Sequence, residues 1–329
     1  MQRRNILRLA FGSKVSLGWP AFVKAQGPSA RMVRLAWVSM DAPDLQSPYL
    51  VAFRDGLRSM GWVEGREVSL DAWWGDGSPD RLRQQFQALQ ASQPDLVVAS
   101  FGAVRPLLEL PLAAPMVFAF SGDVVQAGIV KSWARPGVNR TGVSYFSLDL
   151  VPKRLAMMKE LLPRMQRVAI VGWPPHPGEL LELEAARNAA DQMRLASRYY
   201  GVHTVAELDL ALEAIATWRA DGLFVFGGAV ALNWAERFAS FSARQRVPAV
   251  SAWASFAERG NVMTYGPVLH DSISRLATIA DRILRGAKAA EMPVELPTRI
   301  ELVVNAKAAR SLDLDIPRTL LARADRVLG

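Results

Sequence analysis

Two hydrophobic rhythms take turns along this chain. Residues 33–38 (VRLAWV) form a short apolar run, the pattern of a strand buried on both faces. Ser47-Pro48 then supplies an N-cap and a proline for the first helical position. Leu50, Phe53, Leu57 and Met60 repeat at helical spacing until Gly61 ends the element. Val68, Leu70, Ala72 and Trp74 alternate with a period of two and predict a strand. Ser78-Pro79 opens a second helix, carried by Leu82, Phe86 and Leu89, and DLVVAS (95–100) and PMVFAF (115–120) read as two more buried strands. The order βαβαβ, with nearly continuous apolar strands, predicts a parallel sheet covered on both faces.

Residues 135–147 (RPGVNRTGVSYFS) break the rhythm and read as a crossing between lobes; the pattern then restarts. Asp149 stands as the cap of a helix with Leu155, Met158 and Leu162 turned inward. RVAIVG (167–172) is a strand and 178–195 a helix. Thr204 and Glu207 have the spacing of a capping box, before a helix showing Leu208, Leu212 and Ile215. GLFVF (222–226) and VPAVS (247–251) read as strands around a helix near 230–243. NVMTYGP (261–267) reads as a short strand and a second crossing. A helix with Ile273, Leu276 and Ile283, an extended ELVVN (301–305) and a last helix from Pro317 complete the chain. The expected fold class is α/β, with two doubly wound parallel-sheet lobes. Ligands of such sheets bind beyond the carboxyl ends of the strands, so two facing lobes predict one cleft.

Charge and composition sharpen this picture. A length of 329 residues accommodates two domains, and 50% hydrophobic with 21% charged residues is a globular composition. Five of the 39 Lys and Arg (Arg3, Arg4, Arg8, Lys14 and Lys24) fall in residues 1–25, which hold no acid. The remainder carries 34 basic against 31 acidic side chains, too even a balance for a nucleic-acid partner. The basic start, the apolar stretch Leu17 to Val23 and Val23-Lys24-Ala25 predict a signal peptide cleaved after Ala25. Arg3-Arg4 before Ile6 and Leu7 resembles a twin-arginine signal. Beyond residue 26 no apolar run reaches the roughly 20 residues of a membrane helix. The absence of cysteine excludes disulfides, thiolate metal sites, a Cys nucleophile and a lipid-modified N-terminal Cys. With the lipid anchor excluded, the expected location of an exported chain is the periplasm. Histidines stand only at 176, 203 and 270, a spacing that argues against a His-based zinc site; no metal and no cofactor are expected.

Motifs of catalysis are missing. After the first strand the chain reads SMDAPD where a dinucleotide enzyme needs G-x-G-x-x-G. There is no P-loop and no G-x-S-x-G elbow, and no carboxylate pair stands out for acid–base work. The segment before the first strand, about 30 residues, is too short for the helix-turn-helix domain of a repressor.

GWVEGREV (61–68), ARPGVNRTGVS (134–144), TYGPVL (264–269) and the segment 281–328, from DRILRGAKAAEMPVELPTRIELVVN onward, occur in the order and spacing of one family. The chain resembles the ABC-transporter substrate-binding proteins that include the tryptophan/tyrosine-binding type. The resemblance implies a periplasmic-binding-protein type I fold with three crossings. Lobe one would take residues 31–145 plus about 265–295, and lobe two 146–264 plus about 296–329. It also implies no catalysis, a monomer, and delivery of a small solute to a membrane permease powered by an ATPase. A sensor protein of the same fold is the alternative, and a small-molecule α/β enzyme a more distant one. Two loops depart from the family: Gly122-Asp123-Val124-Val125 stands for G-D-P-V, and Ser100-Phe101-Gly102-Ala103 for a Thr-Pro-Ala turn. The family's tryptophan or tyrosine ligand therefore does not carry over.

Candidate binding residues are those just after each strand. Ser39, Met40 and Asp41 follow the first, and Ser100, Gly102 and Ala103 the third. The Ser100–Ala103 turn either binds an anion through free N–H groups or is a plain strand-to-helix turn. Ser121 offers a hydrogen bond, and Asp123 holds a ligand amine or hydroxyl or else caps a helix at 124–134. Trp173, Trp253 and Tyr265 line the cleft with aromatic faces or pack the hinge, as does Tyr145. Gly227 and Gly228 allow close approach of a ligand or turn the chain. His176, between Pro175 and Pro177, reads as a surface loop histidine. Aromatic lining beside an anion-friendly turn points to an amino acid or an aromatic carboxylate.

Overall fold

The computed structural model describes residues 31–145, 148–176 and 178–329; the expected leader, residues 1–25, lies outside them. Two sheets organise Met32–Gly329. The first contains β1 (Val33–Ser39), β2 (Val68–Trp74), β3 (Leu96–Ser100), β4 (Met116–Phe120) and β5 (Arg140–Ser144), in the order β2-β1-β3-β4-β5, all parallel. β3 and β4, the apolar runs LVVAS and MVFAF, are buried throughout, as an interior parallel strand requires.

The second sheet contains β6 (Arg167–Gly172), β7 (Ala196–Gly201), β8 (Gly222–Val225), β9 (Ala249–Ser251), β10 (Met263–Pro267), β11 (Ile300–Asn305) and β12 (Arg326–Leu328). Its order is β12-β11-β10-β9-β8-β6-β7, with only the β10–β11 pair antiparallel. One face is covered by helices Leu150–Leu161 and Glu179–Gln192, which bury Leu155, Met158, Ala186 and Ala190. Leu208, Leu212, Ile215, Phe238 and Phe241 fill the other, from helices Val205–Trp218 and Ala235–Gln245.

The sheets share one chain through segments that pass back and forth. Helix Pro48–Ser59 covers the first sheet with Leu50, Phe53 and Leu57, and helix Leu269–Leu284 lies against it, although more than 200 residues separate them in sequence. Gly56 permits the close approach: a Cβ there would stand 2.7 Å from Cβ of Ala277. Trp62 Nε1 donates to Asp281 across the same contact at 2.8 Å. The chain then returns along β5, where Glu295 N donates to Gly142 O and Ser144 N to Glu295 O, both at 2.9 Å, before entering β11.

Several local expectations change. Residues 140–144, read as part of a crossing, are the edge strand β5; β7 and β12 have no counterpart in the sequence reading. Asp149 makes no side-chain capping bond. Thr204 accepts from Glu207 N at 3.2 Å, but Glu207 reaches His203 N at 2.7 Å instead of closing the box on Thr204. The helix expected at 124–134 is a series of turns, and the one near 230–243 is two pieces, Ala229–Asn233 and Ala235–Gln245. Among the described residues no helix is long and apolar enough to cross a membrane.

Candidate functional site

The carboxyl ends of the two sheets meet. Ser121, just past β4, and His176, just past β6, share a hydrogen bond of 2.9 Å between Oγ and Nε2. Beside it the Tyr145 ring, after β5, meets Trp253, after β9, edge to face at 5.7 Å. Gly172, Trp173, His176, Glu179, Phe226, Gly227 and Gly228 line a cavity of about 10 Å³ on the second lobe's side. That is room for one water-sized body and not for an organic solute.

The residues expected in the cleft take different places. Ser39 turns inward and fastens its own loop, donating to Asp41 Oδ2 at 2.7 Å. Met40 lies between two glycines: a Cβ on Gly75 would fall 2.7 Å from its Sδ, and one on Gly102 3.0 Å from its Cγ. Gly102 thus makes space for a thioether. Ser100 and Ala103 have no solvent exposure, and Ser100 Oγ leans on Val38 O at 3.4 Å. The following helix, Val104–Leu107, spans four residues, too short for a strong N-terminal dipole. Asp123 fastens its own turn, with no helix behind it to cap: its Oδ1 accepts from Val125 N at 2.8 Å and Gln126 N at 3.0 Å. Trp253 is buried and lies against Gly227, where a Cβ would come within 3.2 Å of its ring. Tyr265, half-buried in β10, packs on the second lobe's apolar cluster, and its carbonyl accepts from Arg154 Nε at 2.8 Å. Of the expected set, Trp173 and Gly227 line the small cavity, with Trp253 against Gly227, and Ser121 reaches it only through His176.

His176 corrects the sequence reading most. It is buried, only 9% exposed, and bridges the lobes; it is not a surface loop residue. Burial, with Arg105 nearby, lowers its pKa to about 4, so the imidazole is neutral at pH 7. One turn on, Glu179 and Glu182 enter the first turn of helix Glu179–Gln192. Glu179 sits directly over Gly172, where a Cβ would fall 1.8 Å from its Oε1, and accepts from Tyr199 OH at 2.7 Å. Burial raises Glu179 to about 7. Glu182 is raised to about 8 by the same cause, against the opposing pull of the buried Arg154. The guanidinium of Arg154 lies 5.7 Å from the centre of the Phe224 ring. The sequence reading passed over Glu179, Glu182, Tyr199 and Arg154. The available signal was the spacing His176-x-x-Glu179-x-x-Glu182, which puts three titratable groups on one side of a helix start.

A family model described as ABC transporter substrate binding protein matches residues 37–328. The chain belongs to this family. A tyrosine-binding protein of Clostridioides difficile (strain R20291) is 19% identical over 264 residues, which are 80% of this chain and 75% of the relative. Two crystal structures superpose with a TM-score of 0.83, each covering 90% of this chain and 100% of its own. One is a conserved domain protein from Vibrio cholerae at 24% identity. The other is an ABC domain from Streptococcus pneumonia in complex with L-Trp, at 20% identity. This substrate-binding protein accordingly has the periplasmic-binding-protein type I fold, with its two sheets as two lobes.

Proposed function

We propose that this substrate-binding protein captures a small organic solute between its lobes and passes it, chemically unchanged, to the permease of an ABC importer. The solute class that fits best is an amino acid or an aromatic carboxylate, and the working form is a monomer in the periplasm. The observation that carries the reading is the Ser121–His176 bond between the carboxyl ends of two sheets on one continuous chain. While that contact holds, the cavity beside it measures about 10 Å³, too little for an organic solute at that point. Entry there requires the lobes to part, and a ligand touching both favours closure by its differential affinity. Trp173 and Trp253, beside Gly227, supply aromatic surface for a flat side chain.

A melting-temperature screen over L-tryptophan, L-tyrosine, other amino acids, aromatic acids and sugars tests the solute class. Stabilisation at a ligand concentration 100 times Kd amounts to about 2.7 kcal/mol. An amino acid or aromatic acid is expected among the stabilising compounds. Trp253→Ala is expected to weaken its binding at least tenfold, about 1.4 kcal/mol. Silence across the screen, or turnover of a stabilising compound by the purified protein, overturns the reading.

A further inference from the structure

We propose that His176, Glu179 and Glu182 bind one divalent transition-metal cation on the second lobe's side of the cleft. One ring nitrogen of His176 and one carboxylate oxygen from each glutamate lie within 4.8 Å of one another. Donor atoms sharing one ion at bond lengths of roughly 2.0–2.2 Å stand no more than about 4.4 Å apart, so the cluster closes by a few tenths of an ångström as the ion enters.

Two polar atoms of these residues have no hydrogen-bond partner among the described residues. With Nε2 held by Ser121, the other ring nitrogen, Nδ1, is buried without a hydrogen-bond partner, and so is Glu182 Oε2. Both residues are only 9% exposed. Buried polar atoms left unpaired cost free energy, so two in one small cluster point to a missing occupant. The space fits one: the cavity of about 10 Å³ is lined by His176 and Glu179. Gly172 completes the cradle, since any side chain there would displace the Glu179 carboxylate.

Arg154 Nε is tied to the Tyr265 carbonyl, which limits its approach to the ion. A nitrogen and carboxylate donor set without sulfur suits ions such as Zn²⁺ or Mn²⁺ and does not suit Cu⁺. Ser121 would act as a positioning residue: with its Oγ accepting from Nε2–H, the Nδ1 lone pair is free for the ion. Because Ser121 sits on the opposite lobe, ion binding and lobe contact support one another.

The experiment uses chelator-treated full chain titrated with Zn²⁺ alone, followed by calorimetry and melting temperature. The expected result is one ion per chain and a raised melting temperature. His176→Ala and Glu182→Gln should each weaken binding at least tenfold, and Ser121→Ala about tenfold. His203→Ala, at an exposed histidine paired with Glu207, should change nothing. X-ray absorption on the Zn²⁺-loaded wild type needs no variant: one imidazole among oxygen ligands is expected. Absence of stoichiometric binding would mean a shared proton is the occupant and overturns the proposal. So does binding that survives His176→Ala but is lost in His203→Ala. Solute binding is measured separately in chelator, so its failure counts against the solute reading and leaves this one standing.

Discussion

Burial works on His176, Glu179 and Glu182 in opposite directions. It lowers the histidine to about 4 from an ordinary 6.5, and raises the carboxyls to about 7 and about 8 from 4.5. The histidine's contribution to stability is present above pH 6.5 and is lost as pH falls toward 4. The carboxyls' contribution is complete below 4.5 and is lost as pH rises through 7 to 8. Between about 5 and 8 two carboxyls outweigh one imidazole, so the melting temperature of chelator-treated protein should fall as pH rises. Glu182→Gln should flatten that decline, and a slope equal to wild type would contradict the assignment. Gly172→Ala pushes the Glu179 carboxylate from its seat and should cost about 1–3 kcal/mol in denaturant unfolding. The spacing of these three groups was visible in the sequence, yet nothing in it announced that the His176 loop is covered. The cover comes from Ser121, 55 residues earlier and on the other lobe.

Secondary elements were largely legible because most strands are apolar runs and most helices carry an apolar stripe. The misses have physical causes. β7 (ASRYYG) lies at a sheet edge, where polar residues are tolerated, while β5 (RTGVS) is buried but has Thr141 and Ser144 satisfied by carbonyls of neighbouring segments, so neither sequence shows an apolar run. Register and direction were also hidden: ELVVN reads as extended, but its antiparallel pairing with β10 follows from the path of the chain between them. Asn305 ties three elements together at this point. Its Oδ1 accepts from Ala308 N, capping helix Ala306–Ser311, while its Nδ2 donates to Ala257 O, each at 2.8 Å. Asn305→Ala removes the cap and takes one of two donors from the Ala257 carbonyl, which keeps Gly260 N at 3.0 Å. The expected loss is about 1 kcal/mol, read as a lower denaturation midpoint.

For the molecule as a whole, the pattern of two α/β halves foretold the lobes, while the composition of the cleft was the least readable feature. Strand ends name a neighbourhood, and side-chain direction within it depends on packing: Ser100, Asp123 and Met40 all serve their own lobe. Ser121–His176 is one polar contact that bears on the balance between parted and touching lobes. Ser121→Ala removes a bond worth roughly 1 kcal/mol, a population shift of about fivefold. Small-angle scattering should then report a larger radius of gyration for the ligand-free variant than for wild type. Equal radii would place control of closure elsewhere.

The pairing of helix Pro48–Ser59 with helix Leu269–Leu284 also governs the order in which the molecule can be finished. While the ribosome is still short of residue 284, the early sheet has one oily side without its full cover, so the growing polypeptide stays soft and attractive to chaperones. A chain halted near residue 265 should be digested quickly by protease, whereas one released at full length should resist.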